Sequence, residues 1–466
     1  MEQLKGLDSL FIHHETEHAP LHVLAVMNIS RRRAPYPVNA QTYRKLIAIR
    51  INNFPGLCKK LVDPPVPLAA PLWIRTKPDL RIHIKEATLG ENGVDNNFDK
   101  YLSGLDSVQL ERSRPLWELH VIHEKENDIT HLVAKAHHAL LDGIAGFELI
   151  ANIFDVNEEG ADEDLQSESV DNENIIFSVE EEIPDWTTHI GATFVTQPFT
   201  WAQSSIKVAR NFLEFAKTSL DSKEKPYASL PWRSPEWPKK RILTKQRIMS
   251  EISLEKDVIK QLRKQHGCSF HDVLGAITAG ALRNLLIETD ELPDKPMVCM
   301  SPVSIRRKRA THGNELSVMF AQIPTHIDNS HERIEYMKES FNKAKDFLDN
   351  LGSDTLDEVS QLAPWSALGS LWNLYANSGL TDKHAPFANL MLSSLPGPSF
   401  PLYCAGAQVL SAYPYGPIFD GTFLNVTAIS YLDKVNCGIV SCPDVFTGVE
   451  QLGINMKSEC DSLFIS

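Results

Sequence analysis

The chain has 466 residues, of which 42% are hydrophobic and 23% charged, a composition typical of globular proteins. A single core rarely grows to this length, so the sequence predicts two domains or one duplicated domain. No apolar stretch approaches the ~20 residues of a membrane-spanning helix, and the N-terminus lacks the apolar segment of a secretory signal. The net charge of −14 argues against a nucleic-acid partner.

Most of the negative charge lies in one segment. Between Asp155 and Asp185 there are 13 acidic residues and no Lys or Arg, so the remainder of the chain is nearly neutral. Such a run is typical of a solvated linker. The seven cysteines are scattered and odd in number, which argues against a disulfide framework and favours a reducing cytoplasm.

Residues 1–155 have the pattern of a mixed α/β domain. Alternating apolar residues predict strands at 116–123 and 129–136. After Gly143, apolar residues recur at helical spacing; they are Ile144, Phe147, Ile150 and Phe154. The motif His137-His138-Ala139-Leu140-Leu141-Asp142-Gly143 is therefore predicted to lie on a strand-to-helix turn.

Residues 156–240 begin with the acidic run and end in the Pro/Trp-rich segment 231–238, which predicts extended chain. Between these two, residues 201–220 have one apolar and one charged face, which predicts an amphipathic helix. Its apolar face packs on the protein or touches a lipid surface, and the second role needs a basic polar face with exposed aromatic residues.

Residues 241–466 again have a mixed α/β pattern. A strong helical pattern spans 271–286. The segments 297–305 and 316–323 are predicted strands. Two more strands are predicted at 423–432 and 434–441, with Asp433 at the turn between them.

The His-His-x-x-x-Asp-Gly motif suits acyl transfer from a thioester to an alcohol, because the hydroxyl must lose its proton as it attacks. Imidazole has an unperturbed pKa of ~6.5 and is neutral near pH 7. We predict that His138 and His137 are the catalytic residues and assign His138 as the base. Asp142 is a structural anchor that can hold an Arg or cap the following helix, and Gly143 keeps the space beside the imidazole open. The alternative is that His137 and His138 are core histidines beside a helix N-cap.

The motif resembles that of the chloramphenicol acetyltransferase-type superfamily, which includes peptide-synthetase condensation domains. Further blocks resemble one branch, the bacterial wax ester synthase/diacylglycerol acyltransferase family. In family order they are Leu7–Phe11, Pro20–Val23, Arg112–Glu118, Pro302–Arg306, Gly313–Glu315, Leu395–Pro398, Pro401–Tyr403, Tyr413–Pro414, Leu424–Thr427 and Ser430–Tyr431. Together they cover most of the chain outside the acidic run, and they are more specific than the seven-residue motif.

The resemblance implies two chloramphenicol acetyltransferase-like subdomains of mixed sheet plus helices, with a substrate tunnel between them. Acyl-CoA would enter one mouth and the alcohol the other, and they would meet at His138. The resemblance also implies that Arg306 pairs with Asp142 across the cleft. Asn314 and Asn425 are candidates for positioning substrate, although a lone Asn more often bonds to backbone.

Two positions depart from the family pattern. His271 stands at the start of the predicted helix where the family usually has Asn, and Ser394 stands where Asn and one apolar residue usually precede Pro-Gly-Pro. A side-chain amide can donate to a developing oxyanion or position a substrate oxygen. His271 and Ser394 are therefore further candidates for positioning substrate, and His271 could still donate, with a different reach. These changes leave the acyl-transfer mechanism intact and bear on rate and substrate preference.

Other motifs in the chain carry less weight. His14-Glu15-Thr16-Glu17-His18 fits the metalloprotease pattern His-Glu-x-x-His, but Pro20 would end such a helix at once and no third ligand follows, so we expect no metal site. The basic runs 31–33 and 306–309 are solvated loop charge, or the second attracts CoA phosphates or anionic lipid. The chain has no Gly-x-Ser-x-Gly elbow, which argues against a serine hydrolase.

The sequence therefore predicts an O-acyltransferase that moves a fatty acyl group from acyl-CoA to diacylglycerol, to a long-chain alcohol, or to both. Acyl-CoA is a substrate, and we expect no permanently bound cofactor and no nucleic acid. We expect a cytoplasmic protein, with contact at a membrane or lipid-inclusion surface. Two alternatives stay open: a condensation-type enzyme that uses carrier proteins, and a non-catalytic lipid-surface protein of the same fold.

Overall fold

The fold is described by a computed structural model. It describes residues 2–4, 6–32, 34–65, 71–125, 128–140, 153–166, 180–183, 186, 233–304, 316–351 and 365–465. In these ranges the chain is an α/β protein with mixed sheets, which confirms the predicted class. The predicted helix after Gly143 and the predicted amphipathic helix at 201–220 lie outside the described residues. No described helix is long and apolar enough to cross a membrane.

The strands of the described residues form three sheets. In chain order they are β1 (Glu2–Gln3), β2 (His22–Ser30), β3 (Lys59–Val62), β4 (Leu72–Arg75), β5 (Ile84–Thr88), β6 (Trp117–His123), β7 (Ile129–His137), β8 (Ile248–Glu255), β9 (Met297–Ser304), β10 (Leu316–Ile323), β11 (Leu390–Leu395), β12 (Tyr403–Cys404), β13 (Ala407–Tyr415), β14 (Leu424–Tyr431) and β15 (Lys434–Ser441). All six strands predicted from sequence are present and end within one residue of the predicted bounds.

The helices of the described residues are α1 (Gly6–His14), α2 (Ala40–Arg50), α3 (Leu80–His83), α4 (Phe98–Asp106), α5 (Asp162–Gln166), α6 (Lys256–His266), α7 (Phe270–Glu288), α8 (Ser330–Leu351), α9 (Trp365–Asn377) and α10 (Val449–Ile465). The helix predicted at 271–286 is α7. It begins where it does because Ser269 and Asp272 cap each other's backbone amides in a capping box.

The first large sheet has the strand order β12-β13-β2-β7-β6-β5 and carries the histidine motif at the end of β7. Strands β6 and β7 pair antiparallel, and β2 lies on the other side of β7 with His22 opposite His137. The alternation that predicted β6 and β7 does not produce a solvent face. Helix α4 covers the polar side, where Lys135 donates to the carbonyl of Leu105 at 2.6 Å.

The second large sheet has the order β10-β9-β11-β14-β15-β8. Strand β11 is parallel to both of its neighbours, β9 and β14, whereas the outer pairs are antiparallel. Helix α7 is buried along nearly its whole length because α8 and α10 pack against it. At Gly280 an added Cβ would lie 2.5 Å from Glu459, which forms a buried ion pair with Arg333, so only glycine fits there.

The second half of the chain contributes to the first sheet. Strands β12 and β13 follow β11 in sequence, yet β13 pairs with β2. Strand β13 also crosses β15 closely, since a Cβ on Gly438 would lie 2.1 Å from the carbonyl oxygen of Pro414. Helix α9 packs against α1 at Gly369, where a Cβ would lie 2.5 Å from the carbonyl oxygen of His13. These contacts bring two distant parts of the chain to the histidine motif.

Candidate active site

The two histidines of the motif lie at the end of β7, where the strand is held on both sides. The amide of His137 donates to the carbonyl of Leu116 and the amide of His138 to the carbonyl of Leu21, each at 2.9 Å. The amide of Ala139 then donates to Nδ1 of His137 at 3.1 Å. This side-chain acceptor ends the strand and starts the 3₁₀ turn His138–Leu140, so the backbone of both histidines is fixed.

His138 lies against an aromatic ring. Its imidazole stacks on Phe11 with the ring centroids 3.9 Å apart and the planes 18° apart. Its Nδ1 is buried and makes no hydrogen bond of normal geometry to the described residues. Burial lowers the pKa of His138 to about 4, and a weaker contact with its own backbone carbonyl opposes that shift. The imidazole is therefore neutral near pH 7, as a general base must be.

His137 is enclosed by protein, with 1% of its surface exposed. Because its Nδ1 accepts from Ala139, the neutral ring carries its proton on Nε2. That Nε2 lies 3.6 Å from Oε1 of Glu15. Burial, and then the positive charge of Arg112, holds the pKa of His137 well below its usual value. Both ring nitrogens thus face protein groups, which suits a role in holding the turn.

Glu15, from the metalloprotease-like pattern, lies beneath this turn. Its Oε2 accepts from Arg112 at 3.1 Å, and its Oε1 accepts from the amide of Leu21 at 3.3 Å. Arg112 also donates to the carbonyl of Ile12 at 2.8 Å. Glu15 therefore connects α1 to the backbone that holds His138. No group of His, Cys, Asp and Glu in the described residues could hold a metal ion.

Sequence patterns alone did not mark Phe11, Glu15 or Arg112 as site residues. Phe11 and Arg112 stand inside two of the family blocks, so their block membership was the available signal. Glu15 was noticed only as part of a metal-binding pattern. Nothing in the local patterns shows that α1 and Arg112 converge on this turn, because the contacts of Phe11 with His138 and of Glu15 with Arg112 join positions far apart in sequence.

Three buried polar residues, His22, Asp106 and Arg247, connect the two halves of the chain beside β2. Nε2 of His22 donates to Asp106 at 3.0 Å. Arg247, which precedes β8, lies 3.7 Å from Asp106 and donates to the carbonyl of His18 at 2.6 Å. Burial lowers the pKa of both His22 and Arg247. Arg247 thus fixes the start of the second sheet against the segment that carries the motif.

Four predicted site residues lie outside the described residues, and they are Asp142, Gly143, Arg306 and Asn314. The pairing of Asp142 with Arg306 therefore stays a prediction. The basic run 306–309 lies outside them as well.

The two positions that depart from the family pattern contact each other. Nδ1 of His271, on α7, lies 2.9 Å from Oγ of Ser394, on β11. Nε2 of His271 lies 2.7 Å from Oγ of Ser301, on β9, and that hydroxyl donates to the carbonyl of Leu392 at 2.8 Å. The imidazole packs on Phe341 with a centroid separation of 4.5 Å. Both residues stood out in the sequence, but their contact did not.

Asn425, on β14, is fully buried and bonded to protein. Its Nδ2 donates to the carbonyl of Pro417 at 3.0 Å, and its Oδ1 accepts from Thr427 at 2.7 Å. The chain passes so close that a Cβ on Gly416 would lie 2.5 Å from Nδ2. This geometry ties the start of β14 to the loop after β13.

Comparison with known proteins identifies the family. The family model described as "Wax ester synthase/diacylglycerol acyltransferase catalytic domain" matches residues 4–274, and "WS/DGAT C-terminal domain" matches residues 312–463. The chain belongs to the wax ester synthase/diacylglycerol acyltransferase family. The resemblance inferred from the sequence blocks is confirmed, and the protein is an O-acyltransferase of this family.

Members of the family match nearly the whole chain. A Mycobacterium tuberculosis protein with the name "Putative diacyglycerol O-acyltransferase" is 28% identical over 449 residues, which are 96% of this chain and 86% of the relative. An O-acyltransferase of Acinetobacter baylyi is 26% identical over 474 residues, which are 98% of this chain and 96% of the relative.

Solved structures show the same fold. The wax ester synthase/diacylglycerol acyltransferase from Marinobacter aquaeolei VT8 has a TM-score of 0.65 at 22% identity, over 99% of both chains. A trichothecene 15-O-acetyltransferase from Fusarium sporotrichioides has a TM-score of 0.58 at 13% identity, over 99% of this chain and 94% of that one. The first condensation domain of the calcium-dependent antibiotic synthetase has 0.53 at 11% identity, over 100% and 95%. These likenesses confirm the chloramphenicol acetyltransferase-like fold of this family member.

Proposed function

We propose that the protein transfers a fatty acyl group from acyl-CoA to a lipid alcohol, either diacylglycerol or a long-chain fatty alcohol or both, with His138 as the general base. The observation that carries the proposal is the state of His138. It is a neutral imidazole, held by its backbone at the end of β7 and stacked on Phe11. The relatives named for diacylglycerol and for wax esters support both acceptors.

The buried Nδ1 of His138 suggests which nitrogen acts. An enclosed Nδ1 cannot exchange a proton with an incoming alcohol, so we assign the ring proton to Nδ1 and the accepting lone pair to Nε2. The stack on Phe11 keeps the imidazole from rotating about its Cβ–Cγ bond. A base held in one orientation lowers the barrier because the reacting groups meet already aligned.

In the proposed reaction the acyl group passes directly from CoA to the alcohol, and no covalent intermediate forms at His138. Nε2 of His138 removes the alcohol proton as the oxygen attacks the thioester carbonyl carbon, and a tetrahedral oxyanion forms. Its collapse breaks the carbon–sulfur bond. Protonated His138 returns the proton to the CoA thiolate. Acyl-CoA and alcohol are consumed, and ester and free CoA are released.

The residues around His138 hold the base in place in this proposal. We propose that His137 holds the turn, and that Asp142 and Arg306 pair to fix the motif against the second half of the chain. No permanently bound cofactor is needed for the balance above. An acceptor that is itself a lipid would be taken from a membrane or lipid-inclusion surface.

The test is product formation by the purified full-length protein from palmitoyl-CoA, with dipalmitoylglycerol and hexadecanol as separate acceptors. Triacylglycerol and wax ester are separated by thin-layer chromatography, and CoA release is followed in parallel. His138→Ala should lower the rate on the order of a hundred-fold or more. His137→Ala is the matched control and should be milder, with folding of both variants checked by circular dichroism.

Each outcome has a definite meaning. Turnover by His138→Ala at the wild-type rate would refute the assignment of the base. Product from an acyl-carrier protein but not from palmitoyl-CoA would replace acyl-CoA as the donor. Binding to lipid vesicles without CoA release from any pair would assign the chain a non-catalytic role.

A further inference from the structure

The contact between His271 and Ser394 belongs to a hydrogen-bond chain that continues through Ser301 to the carbonyl of Leu392. Oγ of Ser301 lies within hydrogen-bond distance of both Nε2 of His271 and that carbonyl, at 2.7 Å and 2.8 Å. With its hydroxyl proton on the carbonyl, Ser301 accepts from Nε2, and the ring proton of His271 is then on Nε2. In this tautomer Nδ1 is an acceptor, and the hydroxyl of Ser394 can donate to it.

This arrangement has the form of an activated nucleophile. A hydroxyl within about 2.6–3.2 Å of an imidazole, whose other nitrogen is oriented by a third group, is the usual structural signature of covalent acyl transfer. The two separations here are 2.9 Å and 2.7 Å. We propose that Ser394 is the nucleophile of a second, hydrolytic activity on fatty acyl thioesters, with His271 as its base and Ser301 as the residue that orients the base.

Ser394 contacts the first turn of α7 through the side chain of His271. The capping box satisfies the amide of Asp272, whereas the amides of Phe270 and His271 have no acceptor in the described part of the chain. Free amides at the N-terminus of a helix of 19 residues favour a nearby oxyanion. A tetrahedral oxyanion formed at Ser394 would gain from this charge because the side chain of the helix residue His271 already contacts Ser394.

The chemistry balances with water as the co-reactant. Oγ of Ser394 bonds to the acyl carbon while its proton passes to Nδ1 of His271, and the carbon–sulfur bond breaks. His271 returns that proton to the CoA thiolate. Water then attacks the acyl-serine with His271 again as base, and fatty acid and free Ser394 are released. The choice of acyl-CoA as donor rests on the proposed function; the nucleophile and base do not.

The structure also bounds the rate. Burial lowers the pKa of His271 to about 4, and Ser301 offers no negative charge to an imidazolium. Removing the carboxylate from a Ser–His–Asp triad costs roughly 10⁴-fold in turnover, so we expect slow hydrolysis. An Asn at position 271 could not accept the proton at all. Covalent labelling of Ser394 is therefore a more sensitive probe than the rate of hydrolysis.

The first experiment treats purified full-length protein with a fluorophosphonate probe and locates the adduct by peptide mass spectrometry. We expect the adduct on Ser394, and a protein without it overturns the proposal. This measurement needs no variant. His271→Asn should slow labelling at least tenfold, whereas Ser393→Ala, the adjacent serine of β11, is the matched control and should label as the wild type does. Ser301→Ala should lower the maximal labelling rate without changing the probe concentration at half-saturation.

The second experiment measures CoA release from palmitoyl-CoA without any alcohol. Loss of at least tenfold in Ser394→Ala and His271→Asn, with Ser393→Ala unchanged and thermal unfolding preserved, supports the proposal. Release that is kept in Ser394→Ala and lost in His138→Ala overturns it, because water would then be replacing the alcohol at the first site. Ester synthesis is scored separately, so failure of the proposed function is distinguishable from failure of this one.

Discussion

The pH dependence of ester synthesis follows from the burial of His138. A base acts only when neutral, and kcat/KM reports the pKa of the free enzyme. Burial lowers the pKa of His138 to about 4. Since the competent form is the unprotonated one, activity is present above this value and is lost as the pH falls through it.

The size of the effect can be worked out between pH 7.5 and 5.5. An imidazole with an ordinary pKa of ~6.5 would be roughly nine-tenths protonated at pH 5.5, so kcat/KM would drop about tenfold. With a pKa of about 4, the ring is still almost wholly neutral at pH 5.5. We therefore expect kcat/KM to change by less than about twofold over this interval.

The assay is CoA release from palmitoyl-CoA with hexadecanol, monitored with a thiol reagent that reacts below pH 6, in buffers of constant ionic strength. Samples held at pH 5.5 and returned to pH 7.5 should recover their full rate, which separates titration of the base from acid unfolding. A tenfold fall of kcat/KM with an inflection near pH 6.5, in protein that recovers, would contradict the reasoning about burial.

Three further predictions concern positioning and stability. Phe11→Ala should lower kcat on the order of tenfold with little change in KM, because the imidazole loses the ring that orients it; steady-state kinetics with Phe11→Leu as the milder control checks this. Gly280→Ala should cost about 3–5 kcal/mol in urea unfolding, because the added Cβ would displace the buried ion pair between α8 and α10, whereas Gly453→Ala on α10, with no neighbour closer than 3.6 Å, should cost far less. His138 and His271 should each lower the free energy of unfolding by roughly 1.4 kcal/mol between pH 7.5 and 5.5, because the unfolded residues take up protons near pH 6.5 and the folded ones do not. Urea unfolding at the two pH values measures the total fall, to which other buried histidines add, and His271→Asn should make that fall smaller by roughly 1.4 kcal/mol.

The strands and the motif were predictable because their signals are local. The alternation at 116–123 and 129–136 has the period of a strand, and the structure places β6 and β7 there. Alternation in an antiparallel sheet usually means that one face meets water. Here the polar positions, such as Glu118, His120 and Lys135, are buried instead. Local periodicity gives the strand but not what covers it, because α4 reaches this face through the tertiary fold.

The surroundings of His138 were not predictable from local patterns. Leu21, Phe11 and Leu116 come from three separate segments and meet only when β2 and β6 flank β7 and α1 packs across the strand end. The family blocks include all three residues but do not indicate what any of them does. The strand crossover of β12 and β13 into the first sheet was likewise invisible, since nothing in a strand's own sequence specifies which sheet it joins.

The departures at 271 and 394 show why substitutions should be judged in contact rather than singly. Taken one at a time, each replaces an amide that can donate to substrate, and each reads as a loss. In the fold, Nδ1 of His271 lies 2.9 Å from Oγ of Ser394 and Nε2 lies 2.7 Å from Oγ of Ser301. The side chain of an Asn at 271 has no second ring nitrogen and could not accept a proton from one hydroxyl while donating to another. The two residues are therefore best judged as one hydrogen-bonded pair, and under the proposed hydrolysis that pair would move a proton from the serine to the imidazole.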